Sequence, residues 1–400
     1  MATLAVEEAL RRILEGVEPT PLEAVAIEAA RGRTLASPLA ARLTQPPFDA
    51  SAMDGFAVRR SDVTQLPARL AVIGEAAAGH PFQGRVAAGQ CVRIFTGAPL
   101  PPGADAIVIQ ENTTREGAHV IVREGTPDSD HVRARGLDFR EGETLLAPGR
   151  GLGPRELSLA AAMGHARLPV RRRPRIAVLS TGDELVAPGV SPGPGQIVSS
   201  NHLGVAALAE ASGADVELLG IARDTPESLD AHFARAEGVD VLVTIGGVSV
   251  GDHDLVGTVL SARGMALAFW TVAMRPGKPL MFGRLQQTRV LGLPGNPVSA
   301  LVCARVFLVP LIRALLGSRD VMHARSARAA VPLAANGPRQ HYMRAKLRME
   351  GDGVALAEPV RSQDSSLLAP FAAADCLLVR PADAPALDAG AQVSILPLDF

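Results

Sequence analysis

Lysine is almost missing from this chain. Among 400 residues only Lys278 and Lys346 occur, and arginine supplies the rest of a Lys+Arg total of 40. A position that keeps an ammonium in so arginine-rich a sequence calls for a compact, strongly hydrated charge rather than a planar fork. Cysteine is scarce too. Cys91, Cys303 and Cys376 are far apart and odd in number. That excludes a zinc site or disulfide framework read from spacing, and a reducing, cytoplasmic setting is expected. Net charge is also lacking, at −1, so no global field recruits nucleic acid or an anionic membrane, and neither is expected as a partner. Glu7 and Glu8 stand where a signal peptide would be basic and then apolar, so none is expected. The longest apolar segment, Val298 to Leu316, is broken by Arg305, Pro310 and Arg313. It reads as a buried helix rather than a membrane span.

What is there is a globular composition, 47% hydrophobic and 20% charged, on a chain long enough for roughly two to four domains. Residues 4–15 show helical spacing, with Leu4, Leu10, Ile13 and Leu14 on one face. From about residue 69 to 123 the pattern becomes short strand-like runs separated by Gly and Pro clusters, which predicts a compact β module. The run from Ala147 to Pro154 reads as a linker or return crossing. Arg171-Arg172-Arg173-Pro174-Arg175 lacks interleaved aromatics and reads as a solvated hinge rather than a nucleic-acid patch. From 175 to 317 strands and helices alternate, which predicts a doubly wound α/β sheet with helices on both faces. Thr225 and Pro226 are expected to open one of those helices. After about 325 strand patterns return, predicting a second small β module.

Three loops leave strands at the carboxyl edge of the predicted sheet, where open α/β sheets bind ligands. They are Ser180-Thr181-Gly182-Asp183-Glu184, Gly246 to Asp254, and Leu293-Pro294-Gly295-Asn296-Pro297 with Ser299 one turn later. Glycine lets backbone amides approach a ligand, and the following helix points its positive end there. Carboxylates beside such turns suit a phosphorylated ligand held with a hard divalent cation. Arg275 and Lys278 lie in the rigid segment Arg275-Pro276-Gly277-Lys278-Pro279 and offer two cations for phosphate or a small oxyanion. Each loop also has a plainer reading. Asp254 and Asn296 are good helix caps, and Asp183-Glu184 are ordinary loop charges. From the residues alone, the chain contains an α/β domain that binds a phosphorylated small molecule with a divalent metal.

The segment from Pro47 to Ala57, Pro-Phe-Asp-Ala-Ser-Ala-Met-Asp-Gly-Phe-Ala, closely resembles the signature of the molybdopterin molybdenumtransferases. These are the molybdenum insertases, which include the gephyrin E domain. Arg93 to Ala98, Ser180 to Leu185, Gly246 to Gly251, Pro276 to Pro279 and Gly292 to Pro297 fit the same family, in order, across nearly the whole chain. The resemblance implies a discontinuous helical domain from 1–45 and 140–174 and a β domain at 46–139. It also implies an α/β molybdopterin-binding domain at 175–320 and a C-terminal β-barrel-like domain at 325–400.

By the same resemblance the reaction is insertion of molybdate into adenylylated molybdopterin, with Mg²⁺-dependent hydrolysis of the adenylate and release of AMP. Asp54, Thr96, Asp138, Glu184, Asp224 and Asp254 match the catalytic set, with Glu184, Asp224 and Asp254 as metal ligands. Gly246, Gly247, Ser249, Gly251, Arg275, Lys278, Pro294, Gly295, Asn296 and Ser299 match the substrate site, with Arg344 and Ser365 joining from the C-terminal domain. A homodimer is implied, in which Asp54 and Thr96 complete the partner's site. A molybdopterin adenylyltransferase and maturation factors for molybdenum enzymes are the implied protein partners. Thr271 departs from the family pattern, where a lysine is common, and Arg275 stands at another lysine position. Asp49 reads as structural, an Asx-turn after two prolines. The alternatives are a scaffold protein of the same fold, the preceding adenylyltransferase step, and a nucleotide pyrophosphatase.

Overall fold

The computed structural model describes residues 3–123, 131–247, 255–319, 324–350 and 353–398. Its centre is a six-stranded sheet. The strands lie in the order Asp215–Ala222, Arg175–Thr181, Val241–Ile245, Thr288–Leu293, Pro279–Leu285, Ala266–Thr271. The first four are mutually parallel, and Pro279–Leu285 runs antiparallel to both its neighbours. Sequence reading passes over that strand because Pro276, Gly277 and Pro279 punctuate its approach. The central strands are mostly apolar, as expected of strands covered on both faces. Val241, Val243 and Ile245 join the core under Asn201–Ala211 and the 297–315 helix, while Leu242 joins the core under Pro226–Arg235 and Leu255–Ala262. Thr225 caps its helix as predicted, accepting from Ser228 N at 3.2 Å.

The 297–315 helix contains a π-helical turn over Ala304–Leu308. It is long and apolar enough to cross a membrane, yet it is mostly buried inside the protein's own core. The first helix, Val6–Leu14, packs on this same core through Val6, Ala9 and Ile13. It is stitched there by Leu4 N to Thr271 O and Ala273 N to Leu4 O. It therefore belongs to the α/β core rather than to the separate core of Ala30, Leu35, Leu39 and Ala41.

The remainder of the discontinuous module has one α-helix, Pro154–Ala162, a short 3-10 turn at Ile27–Ala29, and two antiparallel strand pairs, Leu22–Ala26 with Arg167–Arg171 and Leu39–Ala40 with Thr144–Leu146. The run read as a linker at 147–154 crosses back through it, with Gly149 N donating to Leu35 O and Leu152 buried. The basic run after it is no solvated hinge. Arg172 grips the Asp240 carboxylate with both terminal nitrogens at 2.9 and 3.0 Å, Arg175 N donates to the same carboxylate at 2.7 Å, and Arg171 donates to Thr20 O. The carboxylate holds the Arg172 charge and raises its pKa.

The β domain is a six-stranded sheet ordered Ala106–Ile109, Gly55–Val58, Gln90–Ile94, Ala68–Ala76, His119–Val122, Thr113–Glu116. Alternate residues feed two cores, Phe56 and Val58 to one face and Ala57 to the other. The C-terminal domain is a small closed barrel. Gln340–Met349 pairs with both Ala355–Pro359 and Cys376–Arg380, and Arg325–Ala329 and Gln392–Pro397 complete the ring.

Candidate active site

After Arg175–Thr181 the chain adds Asp215–Ala222 on one side, then crosses to place Val241–Ile245 on the other. The strand order reverses there, and the carboxyl ends of the two diverging strands leave a crevice between their loops. Gly246 and Gly247 turn across its mouth with φ of 92° and 65°. A Cβ on Gly246 would stand 2.6 Å from Thr181 O, and one on Gly247 would stand 2.6 Å from Val256 Cγ2. Only glycine meets both the backbone angle and the close approach.

The crevice opens into a cleft of about 630 Å³. Its walls are Ser180 to Gly182, Glu184, Asp224, Gly246, Gly247, Ser199 to Asn201, and Pro294 to Pro297, with Ser366 reaching in from the C-terminal domain. Glu184 and Asp224 thus share one cleft. Partial burial, then the nearby Asp183 charge and in smaller part that of Glu184, hold the Asp224 carboxyl above its usual range against an opposing bond from the Asp183 main chain. Asp254, Ser249 and Gly251 lie outside the described residues. Among the described residues no three His, Cys, Asp or Glu groups form a metal cluster. Two carboxylates in one cleft, with charges crowding one of them, still fit a hard dication that keeps phosphate and water as its other ligands.

Asn296 is not a simple cap. Its side chain makes no capping bond and instead donates to Ser365 Oγ at 3.1 Å, while Val298 N donates to Ser365 O at 3.0 Å. The 362–367 loop is therefore pinned to the start of the 297–315 helix. Arg344 holds that loop from behind. It is only 1% exposed, and its terminal nitrogens donate to Leu367 O at 3.1 Å and Ser362 O at 2.9 Å. Arg344 is not among the residues lining the cleft; it positions the loop carrying Ser365 and Ser366. Ser299 is likewise buried in its helix at 4% exposure and does not line the cleft.

Arg275 and Lys278 are exposed next to Pro279, which does line it. Burial first, then the positive charges of Arg275, Arg339 and Arg344, push His341 down to about 4, which marks this corner as positive. Thr271 is turned away, 8% exposed, with its hydroxyl 3.1 Å from Thr3 Oγ1.

Asp54, Thr96 and Asp138 are not among the lining residues of this cleft. Asp54 and Thr96 form a unit in the β domain, where Thr96 N and Oγ1 both donate to Asp54 Oδ1 at 2.8 Å. Those two bonds hold the Asp54 carboxyl below its usual range. Arg93 braces the unit from 5.1 Å over the Phe56 ring and 4.9 Å over Phe95. Asp138 is exposed, with its main-chain N donating to Gln45 O. Asp49 is structural, but it accepts from Arg135 N at 2.7 Å rather than closing an Asx-turn. Sequence reasoning missed Ser199 and Asn201, whose amide donates to Gly295 O at 2.7 Å. The Ser199-Ser200-Asn201 run before an apolar helix was the available signal.

Three family models match the chain. The MoeA N-terminal region (domains I and II) covers residues 4–164, the probable molybdopterin binding domain 177–314, and the MoeA C-terminal region (domain IV) 326–398. Over 401 residues the chain is 35% identical to the molybdopterin molybdenumtransferase of Haemophilus influenzae, covering 99% of each. The chain belongs to the molybdopterin molybdenumtransferase family. A relative of the same description from a Nostoc species is 36% identical over 94% of this chain and 88% of its own. The crystal structure of the molybdopterin biosynthesis MoeA protein from Pyrococcus horikoshii matches at a TM-score of 0.85 with 30% identity, covering 100% of both chains. This molybdopterin molybdenumtransferase family member is thus an enzyme of molybdenum cofactor biosynthesis.

Proposed function

We propose that the enzyme inserts molybdate into adenylylated molybdopterin, hydrolysing the phosphoanhydride with Mg²⁺ and releasing AMP. The observation that carries this reading is the glycine-roofed cleft at the strand-order reversal, with Glu184 and Asp224 inside it and a positive corner beside it. Phosphoanhydride cleavage needs positioning and charge stabilisation more than a covalent intermediate. The side-chain-free turn at Gly246 and Gly247 lets phosphate come close to the backbone, while the Gly246 amide itself stays bonded to Leu293 O, and Asn201 and Asn296 fix the opposite wall. Glu184 and Asp224 would hold Mg²⁺, which when bound neutralises phosphate charge. Arg275 and Lys278 offer molybdate its counter-charge. The test is AMP release by the purified protein from adenylylated molybdopterin, with and without molybdate and Mg²⁺. Release that ignores molybdate would reject the reading.

The working unit in this proposal is a homodimer. Asp54 and Thr96 are a preformed polar pair outside the chain's own cleft, so Asp54 and Thr96 of the partner subunit complete it. Two variants inactive alone, Asp54→Asn and Asp224→Asn, should recover turnover when co-expressed, because one mixed cleft carries neither lesion. No recovery would place both residues in a single-chain site. Buried Cys91, Cys303 and Cys376, all unpaired, support a reducing cytoplasmic setting.

A further inference from the structure

Behind the cleft, three nearly buried polar side chains form a line. Ser180 ends its strand at 1% exposure, Ser199 is 3% exposed, and His202 in the first turn of Asn201–Ala211 is 9% exposed. Ser199 Oγ donates to Ser180 Oγ at 3.2 Å and lies 3.0 Å from His202 Nδ1. A serine hydroxyl carries one proton. Ser199 gives its proton to Ser180, so the contact with His202 requires a proton on Nδ1. Burial lowers the His202 pKa, and the positive end of its helix also disfavours an imidazolium. A neutral ring with its proton on Nδ1 is the form that completes this geometry. Ser180 then accepts from Ser199 and still has a proton to donate. Among the described residues nothing accepts it, and Ser180 lines the cleft. The adjacent Thr181 hydroxyl, 3% exposed and also lining the cleft, has no partner either.

We propose that His202 is a positioning residue that orients a hydroxyl chain, His202 Nδ1–H to Ser199 to Ser180, so that Ser180 donates to a phosphate oxygen in the cleft. This rests on reading the cleft as a phosphate site. It adds a fixed neutral donor beside the Glu184 and Asp224 carboxylates, and a phosphate oxygen is the acceptor such a donor complements. The direction of the chain depends on the tautomer. A proton on Nε2 would make Nδ1 an acceptor, draw the Ser199 proton away, and leave Ser180 without a fixed direction.

Nitrogen-15 spectra of the histidine-labelled protein, with His202→Asn used to assign its signals among nine histidines, read the tautomer directly. The Nδ1–H form is expected, and the Nε2–H form overturns the proposal whatever the enzyme's reaction. Calorimetry then measures Mg²⁺-pyrophosphate and Mg²⁺-AMP binding. Ser180→Ala is expected to weaken both about tenfold while its thermal melt stays near wild type. His202→Leu should weaken both less, and His202→Asn should restore them because its amide donates from the Nδ1 position. Loss with AMP alone would assign the contact to the nucleoside and reject the phosphate assignment. Unchanged affinity in Ser180→Ala, or no binding of either probe to the wild type, also overturns it. Absence of molybdate-dependent AMP release with pyrophosphate binding intact would reject the insertase reaction and leave the hydroxyl chain standing.

Discussion

Asn296 and Ser365 join two domains at the lip of the cleft. One residue opens the 297–315 helix and the other sits on a barrel loop, and the amide of the first donates to the hydroxyl of the second at 3.1 Å. Because the Asn296 side chain makes no capping bond, its loss should be felt as a lost domain joint rather than a frayed helix. Asn296→Ala and Ser365→Ala are each expected to cost about 0.5–1.5 kcal/mol. In urea unfolding the double variant should cost clearly less than the sum of the two, because both remove the same bond. Strict additivity would show that the joint contributes nothing.

Asp224→Asn should separate stability from activity. The Asp224 pKa is raised in the folded protein, so its ionised form is less favourable folded than unfolded. The resulting penalty is absent below the unfolded value near 3.8 and grows as pH rises through the folded one. At neutral pH and without Mg²⁺ the variant should melt slightly above wild type, and the gap should close in acid. Mg²⁺ should raise the wild-type melting temperature more than the variant's, and turnover should fall by a factor of at least about 100. A variant that melts below wild type at neutral pH would contradict the crowded-carboxylate account.

Gly246→Ala tests the roof of the cleft against a control. Gly238 also has a positive φ, 77°, but a Cβ there meets nothing within 4 Å. At Gly246 the same methyl would stand 2.6 Å from a carbonyl oxygen. Gly238→Ala should cost only the backbone strain, on the order of 1 kcal/mol. Gly246→Ala should cost more, and it should also weaken Mg²⁺-AMP binding, as measured by calorimetry. Equal costs at the two positions would mean that the Gly246 loop moves freely.

Much of the fold was legible because alternation of apolar runs and glycine-marked turns is a local property. Strands at 175–181 and 241–245 and the buried helix from 297 are all visible from their own residues. Pro279–Leu285 was not, since its approach is marked by breakers and its place between two strands is fixed only by pairing. The first helix was visible as a helix, but its docking on the α/β core depends on Leu4 pairing with residues near 272. Arg171 to Arg175 looked solvated because its partners, Asp240 and Thr20, are distant in sequence.

The sequence by itself determined the chemistry available: acidic and glycine-rich turns at strand ends, one lysine corner, and motifs that name a family. Only the tertiary structure decided which of those groups meet. It brings Glu184 and Asp224 into one cleft, keeps Asp54 with Thr96 in another domain, turns Arg344 inward and Thr271 away, and lines Ser180 with Ser199 and His202. Side-chain type is written residue by residue, but proximity and burial arise from contacts between segments far apart in the chain.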